Sequence, residues 1–330
     1  MNNFLLRCRA LWNPDMYHGW GRKSSYFEGW YYKLVDATGQ HVFAVIPGIA
    51  RGKDGESHAF IQVMDGKACK SNYHSFPDSS FVPAENGFHL QVGDNIFSAN
   101  HIQLNLPELR GRIDFQAPTP WPKMLGAPGI MGWYSFVPFM QCFHGVVSMH
   151  HRLMGLMQLH GAAHSTDFSG GIGYLEKDWG TSFPRSYIWM HSNHFTEGEK
   201  MSLLASVAHI PWLNSYFIGY IVGFQWGEKL YRFATYTGAS MRASLGEQKV
   251  MLSFRDKRYR LEIEGIQAPG AVLLSPLTGE MKGKVNESMQ GTLHIRFYDQ
   301  DELLYEGTGR NAGLEVAGDV AELLTQEWRR

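Results

Sequence analysis

Residues 27–36 read Phe-Glu-Gly-Trp-Tyr-Tyr-Lys-Leu-Val-Asp, followed by the turn Ala37-Thr38-Gly39-Gln40 and by His-Val-Phe-Ala-Val-Ile-Pro-Gly-Ile-Ala at 41–50. Two runs rich in aromatic and β-branched residues on either side of a glycine-containing turn predict a β-hairpin. Side chains alternate across a strand, so Glu28, Trp30 and Tyr32 share one face while Gly29, Tyr31 and Lys33 share the other. The same grammar extends outward. HAFIQVMDGKA at 58–68 ends a strand in an Asp65-Gly66 turn, and GFHLQVGDN, HIQLNLPEL and GRIDFQ follow as short alternating segments. The second half continues with GGIGYLEKDWG, RSYIWMHSNHF, YFIGYIVGFQW, KVMLSFRD and GTLHIRFYD. This series predicts an all-β chain built as antiparallel barrels or sandwiches. Only Val320–Trp328 has helical spacing, through Val320, Leu323, Leu324 and Trp328 after Gly318-Asp319, which predicts a short C-terminal helix. A chain of 330 residues suits two domains, expected as 1–170 and 171–330. No repeat is visible between the halves.

Composition narrows the function classes. Aromatic residues make up 14% and the 36 glycines favour strands and tight turns. Thirty basic and 31 acidic residues leave a net charge of −1, with no basic stripe for a nucleic acid. Cys8, Cys69 and Cys142 are far apart and form no CxxC pair, so they read as free thiols rather than a zinc site or a disulfide frame. The N-terminal MNNFLLRCRALWNP lacks the apolar core of a signal peptide, so the expected location is cytoplasmic. Two stretches without Asp, Glu, Lys or Arg, Ile130–Val147 and Ile210–Trp226, carry too many polar and turn residues for spanning helices and read as buried strands with a turn. Peripheral membrane contact stays open. Ala117–Gly132, with four prolines and three glycines, is irregular; Trp121, Met124 and Met131 within it predict a loop packed on the core.

Three clusters could carry chemistry. Glu28, flanked by Trp30 and Tyr32 on one face, would be desolvated and held protonated, as a proton donor requires; an ordinary hydrogen-bonded carboxylate is the alternative. In Glu176-Lys177-Asp178-Trp179-Gly180 the two acids project to one face and Lys177 to the other, and Arg185 is placed to turn back onto either carboxylate. Arg185, Tyr187, Trp189, His191 and Asn193 then share a face, which suits a cationic intermediate as well as plain packing. Metal binding is not expected. His144 and His150 lie about 20 Å apart on a strand, and no HExxH or HxH pattern occurs. GxGxxG and GxSxG motifs are also missing, so no cofactor is expected.

The run Ser25-Tyr26-Phe27-Glu28-Gly29-Trp30-Tyr31-Tyr32-Lys33 resembles the signature that opens tocopherol cyclases. Glu176-Lys177-Asp178-Trp179-Gly180, with Phe183-Pro184-Arg185 and Trp189, resembles a second segment of that family, with Asp178 where the family has Asn. The resemblance implies two lipocalin-like domains, a lineage shared more distantly with carotenoid hydratases, and a metal-free isomerisation. In that reaction a prenylated hydroquinone is protonated on its nearest side-chain alkene and the phenolic oxygen closes a chromanol ring. On this reading Glu28, Asp178 or Glu176 supplies the proton. Trp30, Tyr32, Trp179, Tyr187 and Trp189 surround the substrate, and Arg185 and Asn193 position its hydroxyls. The expected partner is a small hydrophobic prenylquinol or isoprenoid. A hydratase and a non-catalytic lipid carrier are the competing expectations, because function does not follow from fold.

Overall fold

The computed structural model describes residues 2–198 and 200–329. It begins with a helix the sequence reading missed: α1 (Asn3–Leu11), capped by the Asn2 side chain on the Phe4 amide at 3.1 Å. Leu6 and Ala10, one turn apart, bury its inner face. That i, i+4 pair and the Asn cap were the available signal, too short to stand out from a polar terminus.

The chain divides into two compact units, Met1–Phe183 with Leu273–Lys284, and Pro184–Val272 with Val285–Arg330. The division falls beyond the expected break at 170/171, because strand 172–180 pairs with the strand at 26–35 and cannot be detached from it.

Unit 1 contains β1 (Tyr26–Val35), β2 (Val42–Arg51), β3 (Ser57–Asp65), β4 (Lys70–Pro77), β5 (Phe81–Pro83), β6 (His89–Val92), β7 (Asn95–Ser98), β8 (His101–Asn105), β9 (Leu109–Gln116), β10 (Cys142–Leu159), β11 (Thr166–Asp167) and β12 (Ile172–Gly180). They pair in the order 4-3-2-1-12-10-9-8-7-6-5, with β11 on β10. The two edge strands, β4 and β5, are joined by the three-residue turn Asp78–Ser80, so the ends of the sheet meet and the sheet curls round one core. That core is aromatic: Trp30, Tyr32, Phe97 and Phe115 meet Leu153 and Leu175. Full burial of each such ring is worth about 1.5–3 kcal/mol.

Unit 2 repeats the plan. Its strands are β13 (Tyr187–Ser192), β14 (His194–Phe195), β15 (Met201–Trp212), β16 (Ser215–Trp226), β17 (Lys229–Ala234), β18 (Ser240–Gly246), β19 (Lys249–Arg255), β20 (Tyr259–Ile266), β21 (Ala271–Leu277), β22 (Glu280–Asp299), β23 (Glu302–Ala317) and β24 (Thr325–Arg329), except that most of β21 and the start of β22, within 273–284, belong to unit 1. Their principal order is 17-16-15-13-23-22-20-19-18-24. As in unit 1, a first meander is closed by a returning one whose last long strand pairs with the first, β23 on β13 here and β12 on β1 there.

Local readings are corrected at several points. The expected helix Val320–Trp328 is a single 3-10 turn, Val320–Leu323, capped by Asp319 as its start signal implied. Leu324 is then extended and β24 pairs with β18, whose open edge offers ladder hydrogen bonds that a short isolated helix would forgo. Ile210–Trp226 is a hairpin, as its turn residues required. Ile130–Val147 holds a 3-10 turn, Gly132–Phe136, and the start of β10. Among the described residues no helix is long and apolar enough to cross a membrane. In the 117–132 loop Trp121 and Met131 are buried as expected, with Ile130 beside Met131 in the sequence also buried, but Met124 is half exposed and Leu125 fully so.

Candidate active site

The two signature segments are neighbours in one sheet. In the β1–β12 register, Glu28 lies opposite Trp179, Trp30 opposite Lys177, and Tyr32 opposite Leu175. Residues directly opposite share a face, so these six look into the core of unit 1. Gly29 opposite Asp178 and Tyr31 opposite Glu176 belong to the other face. The carboxyl candidates are therefore divided by the sheet, with Glu28 on one side and Glu176 and Asp178 on the other.

On the core side Glu28 is fully buried and paired with the equally buried Lys177 at 2.5 Å. It also accepts the His18 and Gly19 amides at 2.9–3.0 Å and the Tyr26 hydroxyl. Burial favours the neutral acid, but the Lys177 charge and the His18 donor outweigh it and hold the Glu28 pKa below the ordinary carboxylate value. The expectation of a protonated Glu28 donor is thereby corrected. It rested on the indole and phenol neighbours, whereas the decisive neighbour is an ammonium from another strand. Lys177 also donates to the Pro14 carbonyl at 3.2 Å, to the Met16 carbonyl, and to His18 Nδ1 at 2.8 Å. Burial and the Lys177 charge lower the His18 pKa, so its neutral ring can accept that bond. The lysine thus staples residues 14–18 across the sheet.

The indoles are likewise occupied. Lys177 Nζ sits 4.7 Å from the ring centres of both Trp30 and Trp179, so the cation they face is the protein's own. Trp179 stacks between His18 at 4.1 Å and Phe143 at 5.4 Å. Trp30 donates to the Asp15 carbonyl at 3.0 Å, and Tyr32 donates to the Ser98 carbonyl at 2.9 Å.

On the opposite face the long strand β10 brings in a residue that spacing had set aside. His144 lies opposite Asp178 in the β10–β12 register. Its Nδ1 is 2.8 Å from Asp178 and its Nε2 is 3.4 Å from Glu176. Tyr174, two residues before Glu176 and on the same face, donates to Glu176 Oε2 at 2.5 Å. Burial alone would strip the imidazole of its proton, but the Asp178 and Glu176 carboxylates reverse this and raise its pKa to about 9. His144 is thus an imidazolium at neutral pH, hydrogen-bonded through Nδ1 to Asp178, with Glu176 within ion-pair distance of its Nε2. Asp178 keeps 26% of its side-chain surface exposed and has no side chain beside it at Gly29, so the cluster is reachable. The sequence reading missed His144 because it sought a second histidine as partner. The signal was a histidine opposite an acidic i, i+2 pair, visible only once strand pairing is known.

Among the described residues, His144, Glu176 and Asp178 are also the three side chains whose ligand atoms could meet at a metal ion, lying within 4.8 Å of one another. The histidine engages the acids through two different nitrogens. A metal would take one lone pair and leave the other acid to a ring N–H, so the present arrangement suits a bound proton better.

The remaining expected residues lie in unit 2. Arg185, expected to turn back onto Glu176 or Asp178, is held by an acid of its own unit. It pairs with Glu322, donating from Nε at 3.1 Å, because the 3-10 turn after Asp319 carries that acid to it. Tyr187 donates to Glu315 at 2.6 Å. Trp189 and Asn193 are buried, and Tyr187, Trp189 and His191 alternate with the core residues Ile188 and Met190. A groove of about 450 Å³ in unit 2 is lined by Arg242, Met251, Glu262, Glu264, His294 and Arg296 among others, and it shares no residue with these clusters.

Comparison with known proteins adds a lineage. A family model described as tocopherol cyclase-like matches residues 105–318, which takes in His144 and the 176–180 segment but begins after Glu28. A probable chloroplastic tocopherol cyclase of Oryza sativa subsp. japonica is 25% identical over 205 residues, covering 57% of this chain and 42% of the relative. The chloroplastic tocopherol cyclase of Zea mays is 23% identical over 199 residues, covering 57% and 41%. The chain thus spans less than half the length of the curated relatives it matches. Among solved structures, CghA superposes with TM-score 0.57 at 9% identity, covering 89% of each chain. A protein assigned as AttH from Nitrosomonas europaea gives 0.50 at 14% identity, covering 88% and 92%. At such identities the likeness is one of fold, all-β and lipocalin-like.

Proposed function

This chain belongs to the tocopherol cyclase-like family, and from that premise we propose that it is an acid–base isoprenoid cyclase that closes a chromanol ring on a prenylated hydroquinone. The observation that carries the reading is the His144 imidazolium set between Asp178 and Glu176, one mobile proton beside two carboxylates on a reachable sheet face. Addition of a phenol across an alkene needs both a proton donor and a proton acceptor, and moves no electrons to a cofactor. His144 gives its proton to the alkene carbon, the phenolic oxygen bonds to the more substituted carbon, and Asp178 takes the phenolic proton. Its return to His144 restores the site, and the product is an isomer of the substrate. In this reading proton transfer and ring closure are concerted, so that no free tertiary cation is formed. Glu176, fixed by Tyr174, orients the imidazolium. Glu28 and Lys177 act through the fold and touch no reacting atom.

Asp178's exposed edge also favours a second reading, in which water replaces the phenol and the enzyme is a hydratase. Incubation with a panel of prenylated hydroquinones, read by liquid chromatography and mass spectrometry, separates the cases. Unchanged mass with loss of a phenol supports the cyclase, and a gain of one water supports the hydratase. His144→Gln and Asp178→Asn should each lower kcat by about 10²–10⁴-fold, and Glu28→Gln should act on stability. Binding that depends on tail length without turnover identifies a carrier and overturns the enzymatic reading.

A further inference from the structure

The helix α1 and the 117–141 segment meet along one edge of unit 1. Trp12 packs edge-to-face on Phe136 at 5.3 Å, Lys123 donates to Asn13 at 3.0 Å, and a side chain on Gly129 would strike Pro14. The apolar residues around this contact are unusually exposed: Leu125 at 100%, Phe4 at 67%, Leu5 at 54%, Phe139 at 51%, and Trp12 and Trp133 at 48% each. Leu5, Arg9 and Trp12 fall on one stripe of α1, with Phe4 beside it. Contiguous exposed aromatic and aliphatic surface is costly in water and marks an interaction site.

Charge tells which partner fits. In a chain of net charge −1, residues 2–23 and 117–141 hold Arg7, Arg9, Arg22, Lys23 and Lys123 against the single acid Asp15. Tryptophan, phenylalanine and leucine beside arginine and lysine match the interface of an anionic bilayer, where rings sit at headgroup depth and cations meet phosphates. A nine-residue helix that is charged on the same stripe lies in that interface and does not span it.

We propose that α1 and the 117–141 segment form a docking surface for anionic phospholipid membranes. The surface binds the bilayer whether or not the chain is catalytic, so a failed activity assay leaves the proposal standing and a failed binding assay leaves the enzymatic reading standing. Flotation of the full chain with phosphatidylcholine vesicles, with and without phosphatidylserine, tests it. Binding is expected only with phosphatidylserine, with a blue shift of tryptophan emission. Leu5→Ser with Leu125→Ser should weaken partitioning at least about tenfold, as should Arg9→Glu with Lys23→Glu. Leu303→Ser, an exposed apolar site in unit 2, should leave it unchanged. Circular dichroism checks that each variant keeps its strand signal. No binding to either vesicle overturns the proposal, as does binding that ignores the Leu5 and Leu125 changes. Self-association in sedimentation velocity that the same changes abolish overturns it too, and assigns the surface to a second copy of the chain.

Discussion

Lys177 and Glu28 carry opposite charges where neither meets water, so each is needed mainly because the other is present. Removing one partner strands a buried charge, and Lys177→Met should cost about 3–5 kcal/mol in urea unfolding. Adding Glu28→Gln to that variant should recover most of the loss, because no charge then remains to be solvated. A double mutant no more stable than Lys177→Met would show that the lysine's bonds to the Pro14 and Met16 carbonyls dominate. His144 makes a pH-dependent contribution of the opposite kind. Its pKa is raised from 6.5 to about 9, so folding favours the protonated ring. The stabilisation is complete below pH 6.5, declines as pH rises, and is gone above about pH 9. The shift corresponds to about 3 kcal/mol. Unfolding at pH 6 and at pH 9.5 should show wild type losing that margin, while His144→Gln loses little.

Strand β12 does two jobs because alternation separates them. Its odd-numbered residues Leu175, Lys177 and Trp179 hold the core and the N-terminal segment, while Glu176 and Asp178 face the other way with Tyr174. A one-residue slip would exchange the two sets. The strand's end is guarded by Gly180, whose φ is +151° and whose side chain, if present, would lie 2.3 Å from the Gln141 carbonyl. Gly180→Ala should therefore cost about 1–3 kcal/mol and disturb the pairing of Cys142 with Gly180, two residues from His144. Thermal unfolding and turnover should fall together. A folded variant with unchanged stability would mean that this end of β12 relaxes freely.

At the level of the whole molecule, unit 1 is not one run of sequence. Residues 273–284 belong to it, and Gln62 bonds the Leu274 backbone twice, donating to its carbonyl at 2.9 Å and accepting its amide at 2.8 Å. The Phe183 amide also donates to the Pro276 carbonyl at 3.2 Å. A fragment ending at residue 183 leaves these groups without partners, at about 1–3 kcal/mol for each one that stays buried. It should unfold at lower urea than the same strands in the intact chain, followed by tryptophan fluorescence. Equal midpoints would show that the 273–284 segment adds nothing to unit 1.

The amino-acid sequence by itself determined the class and the lineage. Period-two patterning with turn residues specifies strands wherever one face is buried, and Phe27–Asp36 and Ile172–Gly180 were readable as strands for that reason. Which carboxyl could hold a proton was decided only in three dimensions. A pKa depends on charges within a few ångströms, and those that set the Glu28 pKa come from His18 and Lys177, 10 and 149 positions away along the chain. The topological likeness of the two units was hidden for a related reason: strand order is set by which edges close round a core, and that constrains apolar periodicity without requiring the residues to match.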